Sequence, residues 1–164
     1  MESIPKISTI LYATDLGENT RPVFRQAINQ ARVHNASIVM LNVVEPLGDT
    51  ARSVIAAYMP GISLDNLQKE GMKDVISTMK ERIKQFYNDE CQGDDPHTVP
   101  VKEMIVIAGR PSEQILTAAE TYKADMIIMG QSSKMVLGSK VMGSSARRVA
   151  RLARIPVLIV PNVR

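Results

Sequence analysis

Apolar and polar positions alternate between two periods along this chain. Ile7 to Ala13 (ISTILYA) is a short β-branched run that breaks at Thr14-Asp15-Leu16-Gly17, as a strand running into a turn does. Phe24, Ala27, Ile28 and Ala31 then recur at three- and four-residue spacing with Arg21, Arg25, Gln26, Asn29 and Arg32 opposite, the pattern of an amphipathic helix. Asn19 or Thr20 is placed to cap it, with Pro22 in its first turn. Ser37 to Val44 is nearly continuous in apolar residues, as a strand covered on both faces requires, and this implies a parallel sheet. Glu45 to Ser63 is a long excursion around an apolar Val54 to Met59; it reads either as a lid or contact surface or as a short helix packed locally.

The rest of the chain repeats the alternation. From Leu64, the positions Leu67, Val75, Ile76, Met79, Ile83, Phe86 and Tyr87 trace one stripe of a long helix that ends in a polar segment at Cys91. Val99 to Ala108 reads as a third strand, at a sheet edge, and Gly109-Arg110-Pro111 breaks it. Gly109 or Ser112 starts the next helix, with Ile115, Leu116 and Ala119 on its apolar face. Asp125 to Met129 is a fourth strand. A helix opened by Gly143-Ser144-Ser145 carries Ala146, Val149, Ala150, Leu152 and Ala153 on its apolar face, and Ile155 to Val160 closes the chain as a fifth strand. Strands alternating with helices predict an α/β fold with a parallel sheet and right-handed crossovers.

A chain of 164 residues, 45% hydrophobic and 23% charged, is one globular domain spanning residues 1–164. No apolar run approaches the roughly 20 residues of a membrane helix, and the first ten residues lack the basic start and long apolar stretch of a signal peptide, so a cytoplasmic protein without a membrane role is expected. A single cysteine, Cys91, forms no internal disulfide, and the two histidines, His34 and His97, show no metal-ligand spacing. Charge is segregated. Residues 130–164 hold seven of the 20 cations and none of the 17 carboxylates, leaving the first 129 residues at −4. Such a basic block suits a phosphate ligand, a nucleic acid or an acidic partner, or it is a solvated helix face paired with acids elsewhere.

In open α/β sheets ligands bind beyond the carboxyl ends of the strands, where the strand order reverses. Two loops there are distinctive: Ala13-Thr14-Asp15, and the Gly/Ser-rich run from Gly130 to Ser145. Glycines let backbone approach an anion, Ser144 and Ser145 offer hydroxyls, and a helix start directs free N–H groups outward. Arg147 and Arg148 lie in that opening turn, where a cation opposes the dipole at about 0.3–1 kcal/mol each, a cost that a bound anion relieves. The run is neither G-x-x-x-x-G-K-[ST] nor G-x-G-x-x-G.

Taken together, ILYATD, LNVVEP, IAGRPSEQIL, ADMIIMG and GSSARRVARLARIPVLIVP resemble the universal stress protein family over nearly the whole chain. The resemblance implies a five-stranded parallel sheet ordered 3-2-1-4-5 with helices on both faces, of the adenine nucleotide alpha hydrolase-like kind. In the ATP-binding branch the pattern is G-x2-G-x9-G-[ST]: Gly130 matches its first glycine, Ser133 stands in place of the second, and Gly143-Ser144 match its end. The same resemblance assigns Asp15 to the ribose or adenine, Ala13, Thr14 and Val43 to the border of the base, and Gly130 to the passage of the sugar-phosphate. Gly143, Ser144 and Ser145 fall to the phosphates, and Met129, Ser132, Ser133 and Ala146 complete the implied nucleotide-binding set. It further implies ATP with Mg²⁺ as ligand, an unidentified protein partner and a homodimer through the last strand, whose apolar Val157 to Val160 forms a sheet edge. The alternative is a dimeric interaction protein that has lost nucleotide binding through Ser133. Catalytic machinery is not visible: Cys91 has no companion, and Glu45 and Asp49 sit in a loop without supporting groups. At most the resemblance permits weak ATP hydrolysis or autophosphorylation. Nucleic-acid binding is disfavoured, because the basic block holds no aromatic residue on which bases stack.

Overall fold

Strand β1 (Thr9–Ala13) is the centre of the molecule. In the computed structural model, which describes residues 3–17, 19–92, 100–131 and 141–162, the chain continues through α1 (Arg21–His34), β2 (Ser37–Val44), α2 (Asp49–Tyr58) and α3 (Leu64–Glu90). It then forms β3 (Val101–Ala108), α4 (Pro111–Thr121), β4 (Met126–Gly130), α5 (Ser144–Leu152) and β5 (Val157–Val160). The five strands pair in parallel in the order β3-β2-β1-β4-β5, as the resemblance implies, with β3 at an edge. Ala13 lies level with Leu41 of β2 and Met129 of β4, so β1 and β4 end within one residue of each other while β2 runs on to Val44. The register starts from a side chain: the Asp125 carboxylate accepts the backbone N–H groups of Ser8 at 2.8 Å and Thr9 at 2.9 Å, tying β1 to the entry of β4.

Alternation along the strands divides the core in two. Ile10, Tyr12, Ile38 and Met40 face α1 and α3, where they meet Phe24, Ala27 and Ile83. Leu11, Ala13, Val39 and Leu41 face α4 and α5, where they meet Ile115, Ala118, Ala146 and Val149. Strands buried on both faces are the reason β2 reads as a continuous apolar run. Among the described residues no helix is long and apolar enough to cross a membrane.

Several expectations need correction. The excursion after β2 contains a fifth helix, α2, which packs on α3 and buries none of its residues; of the two readings, the local helix describes it. In α3 the core contacts come from Ile76, Met79, Ile83, Phe86 and Tyr87, whereas Leu67 and Val75 are 45% and 41% exposed. Helix α4 starts at Pro111, with Arg110 as its cap residue rather than Gly109 or Ser112; Ser112 is buried inside the helix, as is Ala118, which the apolar face had left out. On α5, Ala146 and Val149 are buried, but Ala150 and Leu152 point to solvent. Cys91 follows α3 and is buried against the α1 side of the core. Val99 and His97 lie outside the described residues.

Candidate functional site

The end of β1 and the turn after it, the end of β4 and the start of α5 line a cleft of about 490 Å³ at the carboxyl end of the sheet, where the strand order reverses. Of the sequence-predicted residues, Ala13, Thr14, Asp15, Val43, Met129, Gly130, Gly143, Ser144, Ser145 and Ala146 all line it. Ser132 and Ser133 lie outside the described residues.

One wall is built from the β1–α1 turn. The Thr14 hydroxyl accepts the Leu16 N–H at 3.1 Å and Asp15 Oδ1 accepts the Gly17 N–H at 3.0 Å, two local turns of the kind these side chains favour. Leu16 and Asn19 take left-handed conformations, with φ of 55° and 62°. Thr20 is the residue before α1, yet its hydroxyl donates to the Gly17 carbonyl at 3.2 Å and makes no helix cap. Asp15 therefore serves the turn rather than capping α1, and its Oδ2 has no hydrogen-bond partner among the described residues. Behind this wall the Asn42 side chain, 2% exposed, donates from Nδ2 to the Thr14 carbonyl at 2.9 Å, while its Oδ1 has no partner among the described residues.

The facing wall is the start of α5. Gly143 is the residue before the helix; its N–H donates to the Gln131 carbonyl at 2.9 Å, which ties the helix start back to the end of β4. Ser144 is the first helical residue, so the N–H groups of Ser144, Ser145 and Ala146 belong to the turn that lacks intrahelical acceptors. No acid lies in that turn. Arg148 reaches Glu113 of α4 at 3.7 Å, where Arg110 also binds the same carboxylate oxygen at 3.0 Å, but Arg147 lines the cleft and pairs with no carboxylate among the described residues.

The floor is set by Gly130. A Cβ at this position would stand 2.8 Å from Asn162 Oδ1, and the same amide donates from Nδ2 to the Asn19 carbonyl at 3.2 Å. Asn162 thus clamps the β1–α1 loop to the end of β4, and a side chain at Gly130 would displace the clamp. Sequence reasoning assigned no role to Asn162, Glu45, Pro111 or Tyr12, all of which reach the cleft. The rule that selects strand ends points to the first two, which lie two residues past β5 and directly after β2.

Tyr12 borders the cleft from the α1 side. Its ring packs on Phe24 at 5.4 Å between centroids, and its buried hydroxyl has no hydrogen-bond partner among the described residues. Burial pushes the phenol well above the ordinary tyrosine range; the neighbouring Thr14 side chain opposes the rise, and the carboxylates of Asp15 and Glu90 add smaller pushes upward. The Glu90 side chain is itself almost fully buried and pairs with Arg21 and Arg25 of α1.

The electrostatic arrangement is one-sided: carboxylates of Asp15 and Glu45 near the ends of β1 and β2, and N–H groups, hydroxyls and Arg147 at α5. Comparison with known proteins identifies the family. The model of the universal stress protein family matches residues 6–161. The chain belongs to that family. A universal stress protein of Thermus aquaticus is 28% identical over 152 residues, covering 93% of this chain and 97% of the relative. Among solved structures, the universal stress protein UspA from Lactobacillus plantarum superposes with a TM-score of 0.73 at 19% identity, over 96% of this chain and 99% of its own. A universal stress protein solved in complex with cAMP superposes at 0.56 with 17% identity, over 97% of this chain and 100% of its own. At these identities the structural likeness carries the fold of universal stress proteins, and the site stands on its own geometry.

Proposed function

We propose that this universal stress protein binds an adenine nucleotide, ATP with Mg²⁺, in the cleft between β1 and β4 and acts as a cytoplasmic sensor or regulator whose occupied state biases contacts with a partner protein. The observation that carries the reading is the pairing of Asp15 with the Gly143-Ser144-Ser145 helix start across one cleft at the point of strand reversal. A helix start with unpaired N–H groups and an unpaired Arg147 suits phosphate. The free Oδ2 of Asp15 suits a ribose hydroxyl or an amino group, and the apolar Ala13, Val43 and Met129 suit the face of a base. That one relative binds cAMP supports the same ligand class. The cleft offers the hard oxygen donors that suit Mg²⁺: the Asp15 carboxylate and the hydroxyls of Ser144 and Ser145 line it. These residues, with the phosphates, would hold the ion, which would neutralise phosphate charge. β5, apolar and at the sheet edge, is the surface for pairing with a second copy. Light scattering that reports a two-chain mass supports that pairing, and a one-chain mass rejects it.

The second reading, a dimeric interaction protein without nucleotide binding, rests on Ser133 in place of the pattern's second glycine. Displacement of a fluorescent ATP analogue separates the two. Our reading predicts displaceable binding by the wild type, a loss of tenfold or more in Asp15→Ala, and little change in Ser133→Gly. Binding that appears only in Ser133→Gly establishes the second reading instead.

A further inference from the structure

The solvent face of α5 continues the phosphate side of the cleft. Ala146 and Val149 bury one face of this helix. Ser144, Arg147 and Arg151, spaced by three and four residues, run along the opposite face, and exposed Arg154 follows just past the helix end. Arg147 stands at the cleft, and a rise of about 1.5 Å per residue places Arg151 about 6 Å farther along the axis. A paired surface face would look different. Glu113 neutralises Arg110 and Arg148, whereas Arg147, Arg151 and Arg154 meet no carboxylate among the described residues. All three are arginine, whose planar fork matches phosphate oxygens in pairs, and Arg147 is held against the unfavourable end of the helix dipole.

We propose that this universal stress protein takes a nucleotide whose phosphate chain extends beyond the third phosphate, with the nucleoside seated in the cleft and the additional phosphates bound along Arg147, Arg151 and Arg154. The inference rests on the nucleotide reading of the cleft and adds the length of the ligand to it. An extended nucleic-acid strand is the less suitable occupant, because residues 130–164 hold no aromatic side chain to stack its bases.

The test compares ATP, adenosine 5′-tetraphosphate and inorganic tripolyphosphate by isothermal titration on the wild-type chain and on Arg151→Gln and Arg154→Gln. These exposed substitutions should leave the thermal midpoint unchanged. The expected result is a tetraphosphate bound about tenfold or more tightly than ATP, as one added charge-assisted contact provides. Arg151→Gln should remove that advantage while leaving ATP affinity within about twofold, with inorganic tripolyphosphate the weakest of the three. Equal affinities for ATP and the tetraphosphate, with no effect of Arg151→Gln, overturn the inference and leave the nucleotide reading standing. Tripolyphosphate binding as tightly as the adenosine tetraphosphate overturns it as well, since the nucleoside then contributes nothing. Failure of every adenine nucleotide to bind overturns both.

Discussion

Two buried polar side chains near the cleft show how single residues are used here. Asn42 spends one amide hydrogen on the Thr14 carbonyl and so fixes the turn that presents Asp15. Tyr12 contributes ring area, and its hydroxyl finds no partner among the described residues. Removing an unsatisfied buried hydroxyl costs little, so Tyr12→Phe should change stability at neutral pH by less than about 0.5 kcal/mol in urea unfolding. The pH dependence has a definite sign. The folded-state phenol is raised above its unfolded value of about 10, so above that pH the unfolded chain releases the proton first and stability falls as pH rises toward the folded value. Tyr12→Phe should flatten that alkaline loss; an unchanged alkaline slope would place its cause elsewhere. Asp15 and the Gly143-Ser144-Ser145 turn were legible in the sequence because strand ends and helix starts carry local signals. Asn162 and Glu45 also lie just past strand ends, but no glycine, serine or helix start marks them, and each joins the cleft only through the parallel order of strands distant in the chain.

At the scale of elements, α3 teaches the limit of periodicity. Its apolar positions keep a helical spacing over 27 residues, but spacing does not say where the partner surface ends. From Ile76 onward the helix packs on the sheet and α1 core; before it, Leu67 and Val75 remain exposed. Gly71 lies in this first half with open space where a Cβ would sit, so nothing in the fold requires glycine there. Gly71→Ala should therefore stabilise the chain by about 0.5–1 kcal/mol, seen as a higher thermal midpoint, whereas Ile83→Ala should cost about 2–5 kcal/mol. A lower midpoint for Gly71→Ala would show that the glycine is needed by a contact outside the folded monomer. Gly109 is the contrasting case: its φ of +147° and the Gln114 side chain 2.7 Å from a would-be Cβ make it a backbone requirement of the turn into α4.

Across the whole molecule, strand alternation with continuous apolar runs made the α/β class readable, while the order 3-2-1-4-5 came only from the family resemblance, because periodicity carries no information on which strands are neighbours. That order turns two segments more than 100 residues apart into the walls of one cleft, and it puts the start of α5 with Arg147 on one of them. The account depends on those walls receiving one nucleotide. Isothermal titration of the purified chain with MgATP tests this most directly. Saturable binding of one nucleotide per chain below the millimolar range is the predicted result; absence of binding up to millimolar MgATP, with the chain folded, would contradict it.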